Sequence, residues 1–314
     1  MISGERVFVS SLPGLVSAHD IKDGRELWRD AVNPDQPIVV DGERVFIAGN
    51  EAVQALQATD RAVAWRTSTG TVTAPLVVKE GWVIVASAVR MLALRASDGS
   101  IVWQRETALQ KDRGTIDGNT LFVPLANGRL QAVDLASGAT RWERRFAGSP
   151  AEPLVVGDRL YVGTNDKYFY CMKTSTGEVD WRIRVGAALR GRAATDGQRV
   201  FFVALDNLVR AVNRGNGALS WQQGVRFRPF EGPAVAGASV FVAGPTTEVR
   251  VLHAATGKEA GKIPFPEPLV IAPAIGTAAG DVVVAGITGG LNQSWKLWLA
   301  SAVAPATSSG TTER

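Results

Sequence analysis

Short runs of apolar, β-branched and aromatic residues recur along the chain, among them Arg44-Val45-Phe46-Ile47, Trp82-Val83-Ile84-Val85, Leu121-Phe122-Val123, Arg159-Leu160-Tyr161-Val162 and Ser239-Val240-Phe241-Val242. Turn-forming Gly, Asn, Asp and Ser residues lie between them, so each run predicts a short strand. No stretch of ten residues carries the spacing of an amphipathic helix.

A second pattern repeats in phase with the first. Its clearest copy is Ala132-Val133-Asp134-Leu135-Ala136-Ser137-Gly138-Ala139-Thr140-Arg141-Trp142. The same phrase runs Ala18 to Gly24 to Trp28, Ala55 to Arg61 to Trp65, Ala93 to Gly99 to Trp103, Cys171 to Gly177 to Trp181, and Ala211 to Gly217 to Trp221. A seventh copy, Val251 to Gly257, holds Gly261 in place of the tryptophan. The six tryptophans lie 37, 38, 39, 39 and 40 residues apart. That period suits four-stranded propeller blades and some helical solenoids, and the strand-rich runs select the blades.

Within a period the expected order is four antiparallel strands, innermost first. In the fourth period these are Thr115-Ile116, Leu121 to Pro124, Arg129 to Leu135 and Thr140 to Phe146. Pro37, Pro75, Pro153, Pro233 and Pro273 recur at 38, 78, 80 and 40 residues, in phase with the tryptophans. A strand's first position tolerates a missing N–H, so they mark where innermost strands begin. Pro273 extends the count to eight, followed by Ala274-Ile275, Asp281 to Ile287 and Lys296 to Ala300 with no fourth strand. Met1 to Phe8 aligns with Ile38 to Phe46, so the chain begins inside an innermost strand. The expectation is an all-β, eight-bladed propeller of four-stranded antiparallel blades with incomplete terminal blades. It forms a single domain over 1–301, with a disordered Ser/Thr/Ala/Pro-rich tail over 302–314. A missing upstream segment of roughly thirty residues, one period's worth of strands, would complete both ends.

Composition narrows the chemistry. The chain has 314 residues, 46% hydrophobic, with 33 glycines to serve many tight turns. It has no run of about eighteen apolar residues, so no membrane-spanning helix is expected. One cysteine allows neither an internal disulfide nor a cysteine-cluster metal site. Cys171 sits in the alanine slot of the repeat and reads as a small buried hydrophobe. His19 and His253 occupy repeat positions filled elsewhere by Leu or Val and by Asp or Asn, without a partner for catalysis. The tryptophans Trp28, Trp65, Trp103, Trp142, Trp181 and Trp221 read as structural. A flat ring on the outermost strand can lie against the neighbouring blade, with its N–H free to find a carbonyl. The seventh joint, with Gly261, is expected to be the weakest unless Phe265 substitutes.

The phrase Ala-x-Asp-x-x-x-Gly-x-x-x-Trp resembles the tryptophan-docking repeat of the pyrroloquinoline-quinone propeller superfamily, and the resemblance covers Met1 to about Ala300. The residues after the tryptophans are never Asp, unlike the WD40 repeat. The superfamily's quinoprotein dehydrogenases resemble this chain in repeat, but they are longer and use an adjacent cysteine pair, an aspartate base and calcium. Those inserts are absent here, and the nearest acidic-amide pairs, Asn165-Asp166 and Asp206-Asn207, are explained as turn residues. The chain is therefore more similar to the short, non-catalytic BamB-like branch, which implies a scaffold in outer-membrane β-barrel assembly. That resemblance implies no enzyme, no cofactor, a monomer, a protein partner and a location in the periplasm or cell envelope. A protein that binds pyrroloquinoline quinone with calcium, or another small molecule, is the alternative. A sensory fragment of a longer chain, or a cytoplasmic location, is a further one.

Charge points to one region. The whole chain carries +4, yet the stretch from Arg182 to Arg228 holds nine arginines against Asp196 and Asp206, a balance of +7. Loops linking blades, at 31–36, 106–113, 147–152, 185–192 and 224–232, differ in length and chemistry, whereas turns such as 40–43 and 136–138 are uniform. Variable loops on a rigid scaffold are where binding residues concentrate. Arg145, Arg184, Arg190, Arg192, Arg226, Phe227, Arg228 and Phe230 are the candidate partner-binding residues, since arginine with aromatics is the composition of interface hot spots. An equally open reading makes them solvated charges that keep edge strands from pairing. Lysine is scarce, and a nucleic-acid partner is not expected.

Overall fold

The computed structural model describes residues 1–11, 14–278, 281–288 and 296–302. Among them the chain forms strands and no helix, so none could cross a membrane as one. The strands form eight antiparallel sheets, seven of four strands and one of three, each paired in sequence order. This is the strand plan of an eight-bladed β-propeller. The blades span 2–30, 39–68, 77–106, 115–145, 154–184, 189–224, 234–264 and 274–302.

The fourth blade matches expectation closely, with strands Thr115–Asp117, Thr120–Leu125, Arg129–Asp134 and Thr140–Arg145. The first blade's opening strand is the short Ile2–Ser3, paired with Val7 and Arg6. The eighth has Ala274–Ala278, Asp281–Thr288 and Lys296–Ala302. The expected tail falls on Ala302, which ends that last strand, and on 303–314, which lie outside the described residues.

Burial explains why two of each blade's strands are almost continuously apolar. The second and third strands are covered on both faces, as in Thr120–Leu125, where only Thr120 is not buried. The fourth strand is an edge and shows the alternating exposure of a half-covered one, as in Thr140–Arg145. The chain divides into two compact units, 1–193 with 204–206, and 194–203 with 207–314. In the first unit, apolar clusters lie between neighbouring sheets, for example Phe122, Leu130, Phe146, Leu160 and Tyr170 between blades 4 and 5. In the second, Phe201, Trp221, Phe227, Val240 and Leu252 join blades 6 and 7, and Phe241, Val249, Phe265, Val282 and Val284 join blades 7 and 8.

The tryptophan phrase is the joint between blades. Indole N–H groups donate across to the next blade: Trp28 to the carbonyl of Ala58 at 2.9 Å, Trp65 to Ala96 at 2.9 Å, Trp103 to Leu135 at 2.8 Å, Trp142 to Thr174 at 2.8 Å and Trp221 to Ala254 at 2.8 Å. Trp65, Trp103, Trp142 and Trp221 each lie over the next blade's turn glycine, whereas in blade 2 the corresponding turn holds Arg61, at φ +61°. Gly138 and Gly177 have φ of +74° and +67°, and a Cβ built there would come within 2.9 Å of Trp103 and 2.7 Å of Trp142. At these two joints glycine meets both demands at once.

Register accounts for the alanine slot. A bulge before the fourth strand places each tryptophan opposite that slot: Ala18 with Trp28, Ala55 with Trp65, Ala93 with Trp103, Ala132 with Trp142, Cys171 with Trp181 and Ala211 with Trp221. In the seventh copy both partners change together, Val251 facing Gly261. Phe265 is buried there, but it packs at Gly286 and Leu269 rather than in the tryptophan position.

Candidate partner-binding face

The candidate arginines lie on linkers between blades and on the strand ends that feed them. These linkers vary less in length than the sequence suggests: 31–38, 69–76, 107–114 and 146–153 each hold eight residues. The linker before blade 6 is shorter because its first strand starts early, at Leu189. Chemistry, more than length, distinguishes them.

Linkers are hooked to the turn between the second and third strands of the adjacent sheet. Ser149 N–H donates to Asn165 Oδ1 at 2.8 Å, and the Thr164 hydroxyl bonds the Asp166 carboxylate. A Cβ on Gly148 would lie within 2.6 Å of the Asp166 nitrogen, and one on Gly186 within 2.9 Å of Asp206 Oδ2. Asn165 thus braces a linker by a hydrogen bond, while Asp166 and Asp206 pack closely against linker glycines.

In the first unit Arg145 ends the fourth strand of blade 4 opposite Arg129, whose guanidinium pairs with Glu143 at 3.2 Å. Arg184 ends the fourth strand of blade 5 opposite Tyr168, and the Arg182 guanidinium stands 5.2 Å from the centre of the Tyr168 ring. Arg190 and Arg192 are both exposed on the first strand of blade 6, with Arg192 Nε 3.9 Å from Glu152. Tyr168 was not among the sequence candidates, although its position across from Arg184 follows from the strand register.

In the second unit residues 225–230 alternate. Val225, Phe227 and Pro229 are buried, while Arg226 and Arg228 are exposed. Phe227 packs in the core between blades 6 and 7 and lies against Gly244, and Phe230 is half-buried beside Phe241 and Phe265. The two phenylalanines therefore anchor the loop that presents the two arginines. Part of the regional charge is neutralised locally, since Arg199 pairs with Asp196 at 2.8 Å. Arg145, Arg184, Arg190, Arg226 and Arg228 have no ion pair among the described residues.

Among the described residues no three His, Cys, Asp or Glu side chains converge as metal ligands; Asn165 Oδ1 accepts from the Ser149 N–H of a linker, and the Asp166 carboxylate accepts from Thr164 in its own turn. Cys171 is buried, and loss of solvent pushes its thiol up to about 11, away from nucleophilic chemistry. Both ring nitrogens of His19 are engaged in its own hairpin, with Ser17 at 2.9 Å and the Gly24 carbonyl at 3.1 Å.

Comparison with known proteins agrees with this picture. The family described as outer membrane protein assembly factor BamB matches residues 12–153 and 143–288. BamB of Escherichia coli K12 is 31% identical over 250 residues, covering 69% of this chain and 63% of that protein. The chain spans roughly half the length of the curated relatives it matches. The crystal structure of BamB from Moraxella catarrhalis superposes with a TM-score of 0.76 at 20% identity, covering 89% of this chain and 90% of that one. A quinohemoprotein alcohol dehydrogenase from Pseudomonas putida HK5 shares the fold, with a TM-score of 0.75 at 14% identity over 92% of this chain and 69% of that one. With the family match running from the first blade into the eighth, this chain belongs to the BamB family of outer membrane protein assembly factors.

Proposed function

We infer that the chain is a non-catalytic propeller scaffold that serves outer-membrane protein assembly in the bacterial envelope. It binds a protein partner through its blade-linking loops and needs no cofactor. The observation that carries this reading is family membership extending over residues 12–288. The exposed arginines on braced linkers support it, because they offer charge on a surface whose backbone is fixed. Arg145, Arg184, Arg190 and Arg192 are the partner contacts of the first unit, and Arg226 and Arg228, backed by Phe227 and Phe230, those of the second. The scaffold acts as a monomer and does not bind nucleic acid.

The test is genetic and quantitative. Deleting the gene in its host lowers the amount of folded outer-membrane β-barrel, read as heat-modifiable bands on gels, and the wild-type chain restores it. The Arg190→Ala, Arg192→Ala, Arg226→Ala, Arg228→Ala variant folds normally by circular dichroism, since surface changes cost under about 0.5 kcal/mol each. It restores barrels poorly, because hot-spot truncations cost about 2 kcal/mol or more of binding. Unchanged barrel levels after deletion overturn the assembly reading, and full rescue by the variant overturns the arginine contacts. A quinone absorbance shift on titration with pyrroloquinoline quinone and calcium would favour the dehydrogenase-like alternative.

A further inference from the structure

In the seven blades whose fourth strand is described, that strand is an edge, with backbone N–H and C=O groups that no neighbouring strand takes up. Proteins protect such edges by placing charge on them. Six of the seven described fourth strands do so: Glu26 and Arg29 in the first, Arg66 in the second, Arg105 and Glu106 in the third, Glu143 in the fourth, Asp180 in the fifth and Lys262 in the seventh. The fourth strand of blade 6, Leu219–Gly224, has the sequence Leu-Ser-Trp-Gln-Gln-Gly and carries no charge. Its Leu219 side chain is 57% exposed.

The geometry of the edge is defined by its ladder. Val225 N–H donates to the Asn207 carbonyl at 2.9 Å, and Leu208 and Arg210 stand opposite Gly224 and Gln222. Antiparallel bonding alternates along a pair, so the backbone groups of Gln222 and Gly224 point away from the third strand. Among the described residues the Gly224 carbonyl meets only a long contact from the Gln223 side-chain amide, at 3.4 Å. Beyond its end the strand runs directly into Arg226 and Arg228, both exposed and with no ion pair among the described residues.

We propose that the outer edge of blade 6 is a strand-addition site for an acidic, extended segment of a partner protein. The inference rests on the scaffold reading above and names the chemistry of one partner contact. An added strand supplies carbonyl and N–H groups at the spacing the edge requires, and carboxylates of the same segment meet Arg226 and Arg228 where the edge strand ends. A second copy of this chain is a poor occupant, because its own edge strand offers no carboxylate to meet Arg226 and Arg228. A nucleic acid answers the charge but offers no backbone donors and acceptors to complete the ladder.

The experiment uses the full chain and a short, capped, fluorescent peptide alternating valine and glutamate. The expected result is saturable binding by anisotropy, with slowed hydrogen exchange at the Gln222 and Gly224 amides. Gln222→Pro removes an outward N–H that the ladder does not use, and it weakens binding about tenfold or more. Gln222→Glu restores an edge charge without touching the backbone and weakens binding in the same direction, because it repels the carboxylates of the added strand. Equal binding of a lysine-for-glutamate peptide, or of one N-methylated along its pairing edge, overturns the proposal. So does protection confined to the linkers, a dimer in sedimentation with the same two amides protected, or complete displacement of the peptide by an oligothymidylate. None of these results alters barrel levels in the deletion strain, so this proposal and the assembly reading fail separately.

Discussion

Two glycines in blade 5 allow the docking joint to be weighed without removing the tryptophan. Gly157 and Gly177 have nearly the same left-handed backbone, φ of +61° and +67°, but a Cβ on Gly157 would meet nothing within 4 Å, whereas one on Gly177 would stand 2.7, 2.8 and 2.9 Å from three atoms of the Trp142 ring. Gly157→Ala therefore costs only the left-handed penalty, about 1 to 2 kcal/mol. Gly177→Ala costs the same and also displaces the indole. Restoring an ordinary carbon contact requires a retreat of about 0.7 Å or more. That retreat stretches the 2.8 Å bond from Trp142 Nε1 to the Thr174 carbonyl and loosens the ring's contact with Phe122, 5.9 Å between centroids. Overpacking of this kind costs about 1 to 3 kcal/mol and a weakened hydrogen bond about 1 kcal/mol, so Gly177→Ala exceeds Gly157→Ala by about 2 to 4 kcal/mol.

The assay is urea unfolding of the single variants, of Trp142→Ala, and of Trp142→Ala combined with each alanine, with Arg25→Ala in an exposed turn as a neutral control. Circular dichroism and tryptophan fluorescence must give coincident transitions, because long repeat arrays can lose all-or-none unfolding. In the Trp142→Ala background there is no ring to displace, and the two glycine positions cost alike. Equal costs in the wild-type background, or an excess at Gly177 that survives removal of the ring, would refute the docking argument.

The remaining expectations concern titrating groups. Cys171 resists alkylation in the native chain at mildly alkaline pH and reacts at the rate of local opening; fast stoichiometric labelling of folded protein would contradict its burial. Because its pKa is raised, to about 11, the stability linked to the neutral thiol is complete below the ordinary thiol range and is lost as pH rises toward that value. Cys171→Ala, the residue five other copies carry, removes that alkaline loss, read as a flatter melting temperature against pH. The Arg141 guanidinium, with the hydroxyl and N–H of Ser137, holds the Asp134 carboxyl well below its ordinary range. Its contribution is present at neutral pH and is lost as pH falls below about 4. Asp134→Asn thus melts below wild type at pH 7, and the gap narrows in acid; a constant gap would discount the pair.

How much could be read from the sequence follows from what was repeated. Strand positions, the glycine turns and the docking tryptophans each occur six or seven times, so comparing copies separated fixed positions from variable ones. The meaning of the alanine slot was hidden, because a bulge decides which residue faces the tryptophan, and bulges leave no mark in a hydrophobic pattern. Phe227 was assigned to the binding surface because it sits among arginines, although the period-two alternation from Val225 to Pro229 already turned it inward. Loop residues occur once, so no second copy distinguishes an anchor from a contact. Departures from the repeat are then the informative positions, and they divide by whether a second change compensates. Gly261 in place of tryptophan is matched by Val251 in place of alanine, a paired change that keeps the sheet filled. The uncharged edge of blade 6 has no such partner within its own strand, since nothing from Leu219 to Gly224 replaces the missing charge. An edge left open in a chain that guards its six other described fourth strands is costly for a scaffold on its own and useful to one that receives a strand.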